Sequence, residues 1–360
     1  MAFIDDLRVY RDKLRFRIYK ALYDYKAVKS GNDFNFSSIQ HIVISKIDGK
    51  LGDTQVMTPF FANIKKHYPH IKITVITVAN LAEIYDKCIK VDKVIVSPKK
   101  KPAKEQVQKM CQEILQIAPC DLLMLLDVKL RPREFYFINA LKPPFIAGTA
   151  DHLDCMNLHI EKEPVEHMSH YLNSFLQQGG LKLESIEQDY IPFNDPALSL
   201  QYKDRFSGAK TIGFTPYGSG SARKLKYKTQ LAMLTYIKEH TDYNVVLLLP
   251  PDETKLKHLL EGFLGDRQFK VPDLMTVREL CSVISSLDCM VSVDTANVHL
   301  SNAFDIGLFA LYSDPVIINI WGPHPDKTNC VSVNKNKLIA HLDYSDIKED
   351  FEAFIESYCR

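Results

Sequence analysis

The sequence predicts an α/β protein in two halves, each built on a doubly wound parallel sheet. Three observations carry that reading. Short apolar runs of strand type alternate with helix-period segments along most of the chain. Both halves repeat one plan of strand, polar loop and helix. Between them, 181–209 carries Pro192 and Pro196 and keeps no sustained period, so it reads as an irregular interdomain linker. A chain of 360 residues that is 46% hydrophobic has enough apolar material for two cores.

Residues 1–29 read as one amphipathic helix. Phe3, Leu7, Tyr10, Leu14, Ile18, Ala21, Leu22 and Tyr25 form an apolar stripe, and Arg8, Arg11, Lys13, Arg15, Arg17, Lys20 and Lys26 make it basic. Such a helix suits an anionic membrane surface. A second apolar face, formed by Val9, Phe16, Tyr19 and Tyr23, favours packing on protein instead. Gly31 to Ser38 is a polar linker.

The first series opens with a strand over 41–45, a loop over 46–52 and a helix over 53–67 that buries Val56, Met57, Phe60, Phe61 and Ile64. Strands follow at 73–77, 93–96, 121–126 and 145–147, with helices near 80–89, 103–117 and 132–141. A helix over 164–178 stops at Gly179-Gly180. The second series has strands at 211–214, 245–249, 290–293 and 307–312. Its helices fall at 228–240, after Pro250-Pro251-Asp252-Glu253, at 276–286, from 296, and at 348–359. The expected divisions are 1–38 (helix and linker), 39–190, 191–209 (linker), 210–345 and 346–360 (terminal helix).

Composition narrows the partners. A formal charge of +1 gives no electrostatic case for nucleic acid. No apolar run is long enough to span a membrane, and the first residues lack the basic start and apolar core of a secretion signal. The eight cysteines include no Cys-x-x-Cys spacing and read as reduced core thiols of an expected cytoplasmic protein.

Four loops follow strand C-termini: 46–53, 215–226, 250–253 and 294–298. Two Rossmann-like halves facing each other would converge them on one cleft. In Ser292-Val293-Asp294-Thr295-Ala296-Asn297-Val298-His299-Leu300, a strand end feeds a helix start whose free N–H groups favour an anion. Asp294 reads equally well as that helix's cap. Asp53, after Lys50-Leu51-Gly52, is either a helix cap or a general base. Thr215 to Lys224, with Gly218, Ser219, Gly220, Arg223 and Lys224, suits a phosphate or is a solvated loop. It matches neither Walker A nor the dinucleotide fingerprint, and no Gly-x-Gly-x-x-Gly follows the first strand, which argues against a nicotinamide dehydrogenase. His167 and His170 lie three apart on the expected helix without an evident third ligand. No Asp-x-Asp or Gly-x-Ser-x-Gly occurs.

Taken together, the blocks resemble the lipopolysaccharide heptosyltransferases, glycosyltransferase family 9. Residues 41–69 with Lys50-Leu51-Gly52-Asp53 and Thr58-Pro59 are similar to that family's opening. Residues 213–226 resemble its G-x-x-P-G-x-S-x-x-R/K loop, and 249–253 its G-x-P-x-E turn. Residues 292–300 resemble its N-D-S/T-G-x-x-H-L signature, and Trp321-Gly322-Pro323 its W-x-P. The resemblance covers about 41–325 and implies a GT-B fold with inverting, metal-independent transfer from a nucleotide sugar, expected to be ADP-heptose, to a lipopolysaccharide inner-core acceptor. No cofactor or metal is implied. Asp53 would be the catalytic base. Thr215, Gly218, Ser219, Lys224, Glu253, Asp294, Thr295, Ala296, Asn297 and His299 would bind the donor. Lys224 would neutralise the leaving diphosphate and Glu253 hold the ribose. Lys99, Lys101, Arg131 and Arg133 would meet a lipid-linked acceptor at the inner face of the cytoplasmic membrane, although a run such as Lys99–Lys101 also suits a solvated loop. Ala296 stands where the family's pattern has glycine, and helix 1–29 has no counterpart in it. Another nucleotide sugar or a non-catalytic scaffold are the alternative readings.

Overall fold

The computed structural model describes residues 2–98, 102–126, 130–149, 153–160, 167–324 and 327–358. In chain order, helix α1 (Ala2–Tyr23) precedes strand β1 (His41–Ser45), helices α2 (Leu51–Val56) and α3 (Thr58–His67), and strand β2 (Lys72–Thr77). Then come α4 (Ala79–Glu83), β3 (Lys93–Val96), α5 (Lys104–Leu115), β4 (Leu122–Leu125), α6 (Pro132–Leu141), β5 (Phe145–Gly148), β6 (Leu158–His159), α7 (Asn173–Gln178) and α8 (Pro196–Arg205). The second half holds β7 (Thr211–Thr215), α9 (Tyr227–His240), β8 (Asn244–Leu247), α10 (Thr254–Leu264), α11 (Val277–Ile284) and β9 (Cys289–Val293). It ends with α12 (Ala296–Ala303), β10 (Gly307–Tyr312), α13 (Pro315–Trp321), β11 (Cys330–Asn334) and α14 (Tyr344–Tyr358).

The chain divides into two compact units. The first comprises Met1–Gly49, Pro59–Glu163 and His170–Gln188; the second comprises Lys50–Thr58, Pro164–Ser169 and Asp189–Arg360. The first holds a parallel sheet in the order β3-β2-β1-β4-β5-β6. Its central strands are buried on both faces, so they read as continuous apolar runs. The second holds a parallel sheet in the order β11-β10-β9-β7-β8, with Phe214 of β7 in register with Leu247 and Val291. Phe214, Met233, Val291, Phe309 and Phe351 anchor its core.

Several elements depart from the sequence expectation. The single helix over 53–67 is broken, because Pro59 has no N–H to offer the Gln55 carbonyl. The Thr58 hydroxyl donates to that carbonyl instead, at 2.7 Å. Within 181–209, read as irregular, α8 forms. Pro196 is its first residue, and the Asp195 carboxylate accepts from the N–H groups of Ala197 (3.0 Å) and Leu198 (3.2 Å). Of the helix expected over 164–178, residues 164–166 lie outside the described residues. The remainder is a single tight turn (Met168–His170) followed by α7. There the His167 ring accepts from the Ser169 N–H (3.2 Å), a side chain competing for helical hydrogen bonding. The terminal helix starts at Tyr344 rather than 348, because the Asp346 carboxylate accepts from the Asp343 N–H at 2.9 Å.

Seven of the eight cysteines are described, and none of these is in a disulfide. Among the described residues, no helix is long and apolar enough to cross a membrane.

Candidate functional site

In the second unit the sheet order reverses between β7 and β9: β8 lies beyond β7 on one side, β10 and β11 beyond β9 on the other. Loops leaving the carboxyl ends of strands at such a switch point form the ligand crevice of an open α/β sheet. Here those loops are 216–226 after β7 and Asp294-Thr295 after β9.

The loop after β7 folds back on itself, with Tyr217 and Lys224 paired as an antiparallel bridge and the Gly218 N–H donating to the Arg223 carbonyl at 2.7 Å. Gly218 is pressed against the second loop. A Cβ there would stand 2.9 Å from Arg223 Cβ, 3.1 Å from the Asp294 carbonyl oxygen and 3.2 Å from Thr295 Cγ2, so a larger residue would have to push the two loops apart. Arg223 ends a single tight helical turn (Ser221–Arg223) and Lys224 leaves it in extended conformation, so the two side chains face different partners. Arg223 Nη1 donates to the Asp294 carboxylate and carbonyl, both at 3.1 Å, and Nη2 donates to Ser219 Oγ at 2.6 Å. Lys224 pairs with the Glu253 carboxylate and lies 4.7 Å from the centre of the Tyr217 ring. Glu253 holds the Lys224 ammonium above its ordinary pKa.

Asp294 is not the cap of α12. Thr295 caps it, its Oγ1 accepting from the Asn297 N–H at 3.2 Å, and Ala296 is the first helical residue. Burial raises the Asp294 carboxyl above the usual carboxylate range, opposed by Arg223. The buried Asn297 amide donates to Thr215 Oγ1 at 2.9 Å and ties the two loops together.

One turn further on, His299 is buried and its Nδ1 has no hydrogen-bond partner among the described residues. Burial, with a smaller contribution from His167, pushes its pKa down to about 3, so the ring is neutral near neutrality. The ring packs against Trp321, centroids 6.1 Å apart. The same unit includes α2, which packs along α12. A Cβ on Gly52 would lie 2.9 Å from His299 Cδ2 and 3.4 Å from Ala296 Cα, so glycine sets how closely α2 approaches. Asp53 follows Gly52. It sits in the first turn of α2, not at its cap, which is Lys50; Lys50 Nζ is 3.3 Å from its carboxylate.

The structure thus gathers Asp53, Thr215, Gly218, Ser219, Lys224, Glu253, Asp294, Thr295, Ala296, Asn297 and His299 in one unit. Arg131 and Arg133 are in the other unit. Arg131 is exposed and caps α6, whereas Arg133 is buried and paired with Glu134. Lys99 and Lys101 lie outside the described residues. His167, expected on a helix with His170, bonds through its ring to Ser169 Oγ (2.7 Å) and the Gly322 carbonyl (2.9 Å). Sequence reasoning quoted Arg223, Gly52 and Trp321 within its motifs but gave a separate role only to Lys224. Both cations were visible in the loop, but which one faces Asp294 depends on the fold of that loop.

Two parallel sheets, with loops meeting at the β7–β9 switch point, define an α/β protein of the doubly wound class. The model of glycosyltransferase family 9 (heptosyltransferase) matches residues 156–349. The chain belongs to this family and is a glycosyltransferase. It is 23% identical, over 76% of its length and 82% of the relative's, to a Haemophilus influenzae protein described as a candidate glycosyltransferase. Among solved structures it resembles a family 9 glycosyl transferase from Veillonella parvula (TM-score 0.74, 16% identity, 90% of this chain and 99% of that one). It also resembles the ADP-heptose lipopolysaccharide heptosyltransferase II of E. coli (TM-score 0.70, 14% identity, 89% and 100%). The fold is the α/β GT-B class of those structures.

Proposed function

We propose that this glycosyltransferase moves heptose from ADP-heptose to a lipid-linked inner-core saccharide of lipopolysaccharide, with inversion and without a metal ion. The observation that carries the reading is the joining of two loops at the β7–β9 switch point, which sets Arg223, Ser219 and the α12 N-terminus around Asp294. The name of the E. coli relative, which includes ADP-heptose, supports the choice of donor.

In the proposed step the acceptor oxygen attacks the anomeric carbon from the face opposite the diphosphate. The bond from that carbon to the diphosphate oxygen breaks, the electron pair leaves with ADP, and the acceptor proton passes to the Asp53 carboxylate. Charge develops on the departing diphosphate, where Lys224, Arg223 and the first N–H groups of α12 stabilise it. Glu253 orients Lys224 and takes the donor ribose. Thr215 and Asn297 hold the two loops in register, and neutral His299 contacts the donor sugar.

A second donor is favoured by Ala296, whose methyl group stands at the first turn of α12 where the family pattern has glycine. Calorimetry with ADP, UDP and GDP, followed by proton NMR of the product anomer, tests both. Tight binding of ADP alone and an inverted anomer from ADP-heptose are expected. A preference for UDP or GDP, or a retained anomer, overturns the reading.

A further inference from the structure

The first helix has two apolar faces with different fates. Its inner face is fixed: Phe16 packs on Phe135 (centroids 5.8 Å apart), Tyr23 on Tyr136 (5.5 Å), and the hydroxyls of Tyr19 and Tyr136 share a hydrogen bond of 3.1 Å. α1 is therefore a docked part of the first unit. Its outer face is covered by nothing among the described residues. Tyr10, Leu14, Ile18 and Leu22, recurring every fourth residue, are 68, 48, 49 and 66% exposed. Surface helices do not ordinarily show four large apolar side chains in one line.

The borders of this stripe are cationic. Between residues 10 and 23 there are five cations, Arg11, Lys13, Arg15, Arg17 and Lys20, against one carboxylate, Asp12. Arg15 also reaches a groove of about 840 Å³ between α1 and the starts of α5 and α6, whose walls include Phe16, Tyr19, Lys104, Arg131 and Tyr136. Lys99, Lys100 and Lys101 immediately precede that groove in the sequence.

We infer that the outer face of α1 lies in the headgroup layer of an anionic bilayer, with Tyr10, Leu14, Ile18 and Leu22 immersed. Arg15, Arg17 and the cationic groove would contact lipid phosphates. An apolar stripe flanked by arginines on a whole-chain charge near zero is the pattern of an interfacial helix. A second copy of the chain fits less well: an isologous contact through this face would set Arg11, Arg15 and Arg17 against their own copies. The inference bears on the acceptor side of the proposed function, and it rests on that reading only for its purpose.

The test uses the full chain and vesicles with neither donor nor acceptor, so its failure leaves the transfer reading standing and the converse also holds. Flotation with phosphatidylcholine vesicles containing 30% phosphatidylglycerol, a composition chosen for the assay, is compared with pure phosphatidylcholine. Binding is expected to the anionic vesicles only and to weaken as salt rises. Leu14→Asp/Ile18→Asp is expected to lower the partition coefficient at least about tenfold. Arg15→Glu/Arg17→Glu is expected to do the same without touching the apolar stripe. Circular dichroism and the melting temperature of both variants are expected to match the parent, since all four side chains are exposed. No binding to anionic vesicles, binding unchanged in both variants, or a dimer in sedimentation velocity that Leu14→Asp/Ile18→Asp dissolves would overturn the inference.

Discussion

Arg223 holds Asp294 with a single nitrogen that reaches both its carboxylate and its carbonyl at 3.1 Å, while the other terminal nitrogen reaches Ser219 Oγ at 2.6 Å. The arginine thereby fixes the turn before α12 and opposes the rise that burial imposes on the Asp294 pKa. Arg223→Ala is expected to let that pKa climb further and to weaken ADP binding about 10–100-fold, the usual worth of a charge-assisted hydrogen bond. Arg223→Lys keeps the charge but cannot span both partners, so it is expected to recover only part of the loss. Carbon-13 NMR titration of the Asp294 carboxyl and calorimetry with ADP read the two effects separately. An unchanged ADP affinity in Arg223→Ala removes this arginine from the site.

Lys224→Ala is expected to weaken donor binding and turnover together, because the ammonium would act on the diphosphate both before and during departure. The change also strips Glu253 of its partner. Lys224→Arg, which keeps a cation beside Glu253, is therefore the comparison, and it is expected to lose less than Lys224→Ala. Steady-state kinetics at varied donor concentration check this, and unchanged kinetics count against the assignment.

Asp53→Asn is expected to lower kcat by about 10²–10⁴-fold, the range for loss of a general base, with the dissociation constant for ADP nearly unchanged. Loss of ADP affinity with normal turnover at saturation would show Asp53 to be a binding residue instead.

Gly52→Ala tests how Asp53 is positioned. The new methyl would overlap His299 Cδ2 at 2.9 Å, and overpacking of this kind costs about 1–3 kcal/mol. The expected outcome is a fall in kcat larger than the change in ADP affinity. A fall in melting temperature with kcat unchanged would show that Gly52 serves packing alone.

His299 gives the protein an acid weakness. Its folded pKa of about 3 lies below the ordinary histidine value of 6.5, so between those limits the unfolded chain binds a proton the folded chain does not. Stability is unaffected by this group above pH 6.5 and falls as pH drops below it, by about 1.4 kcal/mol per pH unit at the steepest. His299→Gln is expected to flatten that acid limb. Urea unfolding measured from pH 4 to 8 checks it, and an unchanged slope would mean the ring is solvated when folded.

The sheets were legible because strands buried on both faces, such as β1 and β9, are near-continuous apolar runs that nothing else in the chain imitates. β11 was not seen, since its residues are mostly half-buried and its pattern lacks that run. Prolines misled in both directions. Pro196 opens a helix where it looked like an interruption, and Pro59 interrupts a helix that looked continuous. The quoted motifs fall on α2 and on the turns that follow β7 and β9. The cap assignments for Asp53 and Asp294 did not survive, because the true caps, Lys50 and Thr295, are decided by where each strand releases the chain. Long-range partners such as His167 with Gly322 leave no local mark in a sequence at all.

The second unit is stitched from three stretches of chain, of which Lys50–Thr58 and Pro164–Ser169 interrupt the first. The two halves are therefore interlaced along the polypeptide and cannot be parted by one cut. A fragment beginning at Asp189 would lose the helix that abuts His299 and the histidine that anchors Gly322, leaving two raw patches on its surface. Recombining halves from different relatives by a single crossover would break the same seams, whereas grafting all three stretches together would preserve them.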